Sequence, residues 1–396
     1  MFRNLKLKDM LQLGFMVLFS MLAAYFYVNN DARNQVWQKT YPIRAQFANY
    51  QLSCSPNSPA WLANIIKDQT INGNAPANQI AYLDLKGNLY HCENGYVGEY
   101  PILSQPVSAN TRFRYASVTK LWTSDSIFEL IKQNKLSLDT PLVHVLTQIK
   151  NPKDPRINQI TIGDLLLHRG GFDRYTVING QDMFGIGKDI CPNHIDLMNS
   201  LTLNFDPNTK MSYSNLGYCL LGEAASQINN KPYTQLVQDN YRLDNTTLRF
   251  IGNQSWGDEV SYNYVETGLT GIADIYTAFD YKGLASVAGM SGNAIDLAKQ
   301  VKQMANKPEP NLLSLNTKLT CDITKLRDCY GYAMFPYQRS SQDNVMYFRD
   351  GALLGLSSLV AVDKKFGVVA LLSNGSQSEQ HNDKIKMQLY DIANTK

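Results

Sequence analysis

Phe113-Arg114-Tyr115-Ala116-Ser117-Val118-Thr119-Lys120, running directly into Leu121-Trp122, is the stretch on which the reading of this chain turns. Ser117 and Lys120 stand three residues apart, so on a helix they share one face, one turn from each other. A serine hydroxyl is a weak nucleophile until its proton is removed. A lysine amine can remove it where burial or a neighbouring cation favours the neutral form. A helix start at this point also turns positive backbone dipole towards any oxyanion forming at Ser117. Chance alone supplies a Ser-x-x-Lys about once or twice in a chain of this length, so the surrounding chain has to decide.

The 396 residues suffice for one large domain or two intimate subdomains. A hydrophobic content of 44% with 18% charged residues fits an ordered globular protein. The net charge is +3, and no basic run is interleaved with aromatics, which argues against nucleic acid as a partner. The five histidines (91, 144, 168, 194, 381) show no ligand spacing and no Cys-x-x-Cys occurs, so neither a metal nor any other cofactor is expected.

Arg3, Lys6 and Lys8 precede an apolar run over 10–28. Nineteen helical residues span about 28 Å, close to the hydrocarbon thickness of a bilayer. Tyr25, Phe26 and Tyr27 suit its far interface, and the leading cations keep the N-terminus (residues 1–9) cytoplasmic. The expectation is a retained single-pass inner-membrane anchor with the body on the periplasmic side. The competing expectation is a signal peptide cleaved near Ala24, which gives a secreted or periplasmic protein. Export makes the six cysteines disulfide candidates. Cys321 with Cys329 and Cys54 with Cys92 are expected pairs; Cys191 with Cys219 is a third, with a buried Cys219 thiol as its alternative.

Residues 29–59 are polar and Asn/Gln-rich and read as a tether, so the folded domain is expected over 60–396. A helix is expected over 60–68, and a hairpin from Ile80 to Cys92 turning at Gly87-Asn88. Ser117 opens a helix apolar on more than one side, hence central. Residues 136–285 read as helix and loop inserted between strands. A helix follows over 294–304, then strands at 330–335, 346–349, 357–362 and 368–373, and a last helix over 383–393. Strands early and late with helices between imply a sheet assembled from both chain ends and a site at its junction with the helical insertion.

Four segments taken together resemble the serine β-lactamase-like superfamily, in its class C β-lactamase, D-alanyl-D-alanine peptidase and esterase branch. The stretch 113–120 is similar to the family's first motif, with Leu136-Ser137-Leu138-Asp139-Thr140-Pro141 behind its helix. Ile162-Gly163-Asp164-Leu165-Leu166-Leu167-His168-Arg169-Gly170-Gly171-Phe172 resembles the family's Leu-Leu-x-His-x-Ser-Gly segment. Tyr213-Ser214-Asn215-Leu216-Gly217-Tyr218 resembles the second motif, Tyr-x-Asn. Arg349-Asp350-Gly351-Ala352 stands where the third, Lys/His-x-Gly, belongs.

The resemblance implies an α/β (α+β) fold: a five-stranded antiparallel sheet with flanking helices beside an all-helical subdomain. It implies Ser117 as acylated nucleophile, Lys120 as proton-accepting amine and Tyr213 as proton relay or acceptor. Asn215 would orient Lys120 and bind a substrate amide, and Gly351 would complete the third motif. The backbone N–H groups of Ser117 and Ala352 would form the oxyanion hole. His168 is taken as structural. Each has a plainer alternative: Ser117 or Asn215 capping a helix, Tyr213 packed in a core, Arg349 a strand-end surface charge.

Arg349 departs from the family pattern, because a guanidinium essentially cannot exchange a proton. It keeps positive charge and could grip a substrate carboxylate in bidentate fashion. The expected function is therefore an exported serine hydrolase acting through a Ser117 acyl-enzyme on a β-lactam, a D-amino-acid peptide of cell-wall type or an ester. The alternative is a member of the fold that binds such ligands with little or no turnover.

Overall fold

A computed structural model describes residues 6–98, 103–173, 177–178, 181–182, 190–252, 254–261, 280–316, 321–353, 355–375 and 377–395. Its main sheet is antiparallel throughout. The order is Ser53–Cys54, Leu89–Gly95, Ala77–Asp84, Gly367–Asn374, Leu356–Asp363, Met346–Leu353 and Phe335–Tyr337. Five of these strands carry seven or eight residues each, and the two outermost are short edge pieces. The sheet draws its strands from both chain ends, as the sequence pattern implies.

Alternation along the strands sends successive side chains to opposite faces. On one face Leu62, Ile65 and Ile66 of the helix Ala60–Asn72 and Ile385 and Leu389 of the helix Glu379–Asn394 close over Phe348, Ala361 and Leu371. On the other face Tyr347, Val360, Val362 and Ala370 meet the helix Ala294–Ala305 and the helical region. The helix Lys120–Lys132 runs through that second core, with Leu121, Trp122, Ile127 and Phe128 fully buried. Of the helical region expected over 136–285, the helices Ile162–Leu166, Asn215–Asn229 and Tyr233–Tyr241 are present. Part of that expectation, 262–279 above all, lies outside the described residues.

Two expectations about local structure are corrected. Tyr330 to Met334 is not a strand; the edge strand begins at Phe335. Residues 30–50 are not a loose tether but the helix Asn30–Tyr50. Its Trp37, Tyr41, Ala45 and Ala48 recur every three to four residues and are buried against the domain. The Tyr41 hydroxyl donates to the Thr70 carbonyl, and Asn94 Nδ2 donates to Asn49 Oδ1 at 2.8 Å. Polar composition concealed this narrow apolar stripe. Immediately before it, the helix Leu7–Val28 is long and apolar enough to cross a membrane and is exposed along its length.

All three expected cysteine pairs are disulfides: Cys54–Cys92, Cys191–Cys219 and Cys321–Cys329. Cys219 is therefore bonded rather than a free buried thiol.

Candidate active site

Ser117 does not open the long helix but lies in a single 3₁₀ turn, Ala116–Thr119, from which Lys120 starts it. Ala116, directly before the serine, holds φ at 46°, a left-handed conformation that an alanine adopts only when its surroundings enforce it. The Tyr115 N–H donates to the Met290 carbonyl at 2.9 Å, and its hydroxyl donates to the Asn293 carbonyl at 2.7 Å. Those bonds pin the turn from below and turn Ser117 outward, half-buried.

Lys120 is fully buried, and its ammonium donates to Ser117 Oγ at 3.0 Å, Asn215 Oδ1 at 2.8 Å and the Val287 carbonyl at 3.1 Å. Asn215 is the first residue of its helix; the cap is Ser214, whose Oγ accepts from the Gly217 N–H. The amide of Asn215 is thereby left to hold Lys120. Tyr213 closes the opposite side of the serine, its hydroxyl donating to Ser117 Oγ at 2.9 Å.

His168 braces the tyrosine. Its carbonyl accepts from the Ser212 N–H at 2.8 Å and its Nδ1 from the Ser214 N–H at 3.1 Å, with its ring 4.3 Å from that of Tyr213. Burial, then Arg349 and Lys120, hold its pKa well below the usual histidine value, so it is neutral.

Arg349 reaches the site because its strand alternates. Tyr347, Arg349 and Gly351 face the helical side, while Asp350 points away to Lys386 Nζ at 2.9 Å and Asn382 Nδ2 at 3.0 Å. The guanidinium is fully buried. It donates from Nε to the Ser117 carbonyl at 3.0 Å, and from its terminal nitrogens to the Tyr330 hydroxyl at 2.6 Å and the Tyr213 hydroxyl at 3.0 Å. This geometry corrects one sequence reading of Arg349: it is no surface charge. The fork expected to grip a substrate carboxylate is buried and bonded to the protein's own groups.

Burial pushes the Tyr213 phenol up, but the Arg349 and Lys120 charges and the bonds from Lys120 and Ser117 outweigh it and bring the group down to about 8. Near neutral pH a fraction of the molecules therefore carries a phenolate against Ser117 Oγ. In that form the Ser117–Tyr213 contact reverses and the serine hydroxyl becomes the donor.

Gly351 lets the strand come this close. A Cβ there would stand 2.5 Å from the Tyr115 carbonyl oxygen and 2.8 Å from the Ser117 nitrogen. Ala352 follows on the same strand, exposed and paired with Ser357. Tyr330 and the Val287 carbonyl belong to the cluster and were missed from sequence. Val287 acts through its backbone, which carries no residue signal, and Tyr330 belongs to no motif beyond its adjacency to Cys329.

Residues 101–393 match the family model for β-lactamase. The chain belongs to the β-lactamase family. A curated relative, "Probable fimbrial assembly protein FimD, serogroup H1" of Dichelobacter nodosus, is 33% identical over 359 residues, 89% of each chain. The fold matches the β-lactamase/D-alanine carboxypeptidase of Yersinia pestis complexed with citrate, with a TM-score of 0.65 at 18% identity over 85% of this chain and 99% of that one. It matches equally the D-amino acid amidase of Ochrobactrum anthropi SV3 complexed with L-phenylalanine, with a TM-score of 0.65 at 17% identity over 81% and 94%. The β-lactamase-family sheet, with an inserted helical region and the candidate serine at their junction, is thus the architecture of this chain.

Proposed function

We propose that this β-lactamase-family chain is a serine hydrolase that forms an acyl-enzyme at Ser117. The observation that carries this reading is the double hydrogen bond on Ser117 Oγ, from Lys120 Nζ at 3.0 Å and from Tyr213 at 2.9 Å. A serine that merely capped a helix would use its Oγ for a backbone N–H. This one faces two groups suited to moving its proton.

Tyr213 as phenolate takes the Ser117 proton as Oγ attacks the substrate carbonyl. Lys120 keeps its ammonium on the serine and on Asn215, and Arg349 balances the phenolate charge. The carbonyl oxygen, negative in the tetrahedral intermediate, is received by the N–H groups of Ser117 and Ala352 at the head of the turn. Tyr213 then returns the proton to the departing nitrogen or oxygen, which leaves an acyl-Ser117 ester. The regenerated phenolate takes a proton from water as its oxygen attacks the acyl carbon; the bond to Ser117 Oγ then breaks, Tyr213 returns that proton to Oγ, and the acid product leaves. Substrates are acyl compounds of the β-lactam, D-amino-acid peptide or ester class.

The apolar helix Leu7–Val28 and three disulfides support an exported, membrane-anchored protein. The fimbrial-assembly name of the Dichelobacter relative favours one second reading, in which the pocket binds acyl ligands with little turnover and serves assembly of a surface appendage.

The test is mass spectrometry of the full chain incubated with a penicillin, a fluorophosphonate and a p-nitrophenyl ester. Covalent adducts on Ser117, absent from Ser117→Ala, are expected. Adducts at full stoichiometry in Ser117→Ala would refute the assignment. An acyl-Ser117 formed from the p-nitrophenyl ester that never turns over selects the binding reading.

A further inference from the structure

The edge strand Phe335–Tyr337 pairs only with Met346, Tyr347 and Phe348. From Arg349 onward it no longer covers the strand Met346–Leu353. A short loop covalently closed by Cys321–Cys329 fastens this region on both of its faces.

On the outer face Arg327 bonds Asp383 at 2.6 Å and Glu379 on the C-terminal helix, and lies 3.8 Å from Asp350. The Gln338 N–H, just past the edge strand, donates to the Ile323 carbonyl of the loop at 2.9 Å. On the inner face Tyr330, the residue after Cys329, is buried and accepts from Arg349 at 2.6 Å. Its own hydroxyl donates to the Ala333 carbonyl at 3.2 Å and lies 3.2 Å from the Tyr218 hydroxyl. The Tyr330 ring packs between His168, at 4.8 Å, and Phe335, at 4.6 Å.

We propose that Tyr330 is a positioning residue of the Ser117 site: its hydroxyl holds the Arg349 guanidinium against Tyr213, and the Cys321–Cys329 clasp holds Tyr330 in place. The proposal rests on Tyr213 being the group that takes the Ser117 proton, and it adds what sets the readiness of that group.

The reason is geometric. Arg349 spreads three donors over the Ser117 carbonyl, Tyr213 and Tyr330. Without the Tyr330 acceptor, one end of a fully buried cation loses its hydrogen bond, and the guanidinium must turn towards another oxygen. Tyr330 suits this task because burial, although opposed by Arg349, raises its own pKa well above the ordinary value. It remains a neutral acceptor across the working pH range. The groups facing Tyr213 are then Ser117 and Lys120 from the nucleophile turn, Arg349 from the strand and the neutral ring of His168. Of the two cations among them, Arg349 is the one Tyr330 controls.

The test titrates Tyr213 itself. With the full chain in detergent, the pH-dependent ultraviolet difference between wild type and Tyr213→Phe isolates this group among the 23 tyrosines. Wild type is expected to titrate near 8. Tyr330→Phe, which removes only the hydroxyl, should move the midpoint up by about one pH unit. The acid limb of p-nitrophenyl ester acylation should move with it. The double variant Cys321→Ser/Cys329→Ser should shift both in the same direction.

A Tyr330→Phe protein that melts at the wild-type temperature and titrates Tyr213 as wild type does would overturn the proposal. Should Tyr330→Phe not fold, the double serine variant decides by the same titration, and an unmoved Tyr213 there overturns it. A shift in Tyr330→Phe without one in the serine variant overturns the part assigned to the clasp. Failure of Ser117 to be acylated would overturn the hydrolase reading instead, and the titration of Tyr213 would still judge Tyr330.

Discussion

Arg349 donates to the hydroxyl of Tyr213 at 3.0 Å from inside the protein, with no exposed surface of its own. The cation at the third-motif position is therefore bonded to the tyrosine beside the candidate nucleophile and to other groups of the protein itself. A permanently charged group there cannot pass a proton, but its charge favours the phenolate form of Tyr213.

The first prediction concerns pH. In the proposed mechanism Tyr213 accepts the proton only when deprotonated, so acylation should rise with pH through about 8. Arg349→Ala removes a cation that favours the phenolate, so the midpoint should climb towards the ordinary 10. At pH 7 that shift lowers the phenolate fraction, and the rate with it, by about 100-fold. Arg349→Lys should recover part of the loss. The losses should be alike for carboxylate-bearing penicillins and neutral esters, measured as kcat/KM. A loss confined to carboxylate substrates would restore the clamp.

Lys120 and Tyr213 share one oxygen, Ser117 Oγ, and should behave as a unit. Lys120→Ala and Tyr213→Phe should each slow acylation by at least ~100-fold. The double variant should be far less than multiplicatively worse. Single-turnover labelling of Ser117 reads all three, and multiplicative losses would separate the two roles.

Gly351→Ala tests the close approach of strand to nucleophile. An added Cβ meets backbone at Tyr115 and Ser117, which cannot swing aside as a side chain would. The strand must retreat. Acylation should drop by ~100-fold or more, the scale for losing one oxyanion donor, while overpacking costs about 1–3 kcal/mol of stability by denaturant titration.

Residues 30–50 should behave as part of the folded domain. Trp37→Ala, at a site only 8% exposed, should cost about 3–5 kcal/mol in unfolding free energy. A tether would give no change. Deleting residues 1–28 should leave ester acylation intact, whereas deleting residues 1–52 should lower the melting temperature.

Much of this was legible in the chain. The Ser-x-x-Lys and Tyr-x-Asn spacings act within one turn of chain, so they are visible in a linear reading; that Arg349 and Gly351 share one face emerged only with the strand Met346–Leu353. Two of the cysteine pairs were expected from export and spacing, whereas Cys191–Cys219 stood beside a free-thiol alternative that only the structure removed. The helix Asn30–Tyr50 was hidden because four small or aromatic residues carry its buried face amid polar neighbours. Tyr330 was hidden because it meets Arg349 and His168 from a distant segment without periodicity.

By itself the sequence determined the family, the sheet built from both chain ends and the candidates Ser117, Lys120, Tyr213 and Asn215, which the structure brings together, because motif and periodicity are properties of neighbouring residues. What Arg349 does was decided only by the tertiary structure. Whether a cation meets solvent, substrate or a tyrosine depends on which groups from distant segments surround it, here Ser117, Tyr213 and Tyr330. Burial among those oxygens sets the direction of its donors and brings its charge to bear on Tyr213, and neither is written at position 349.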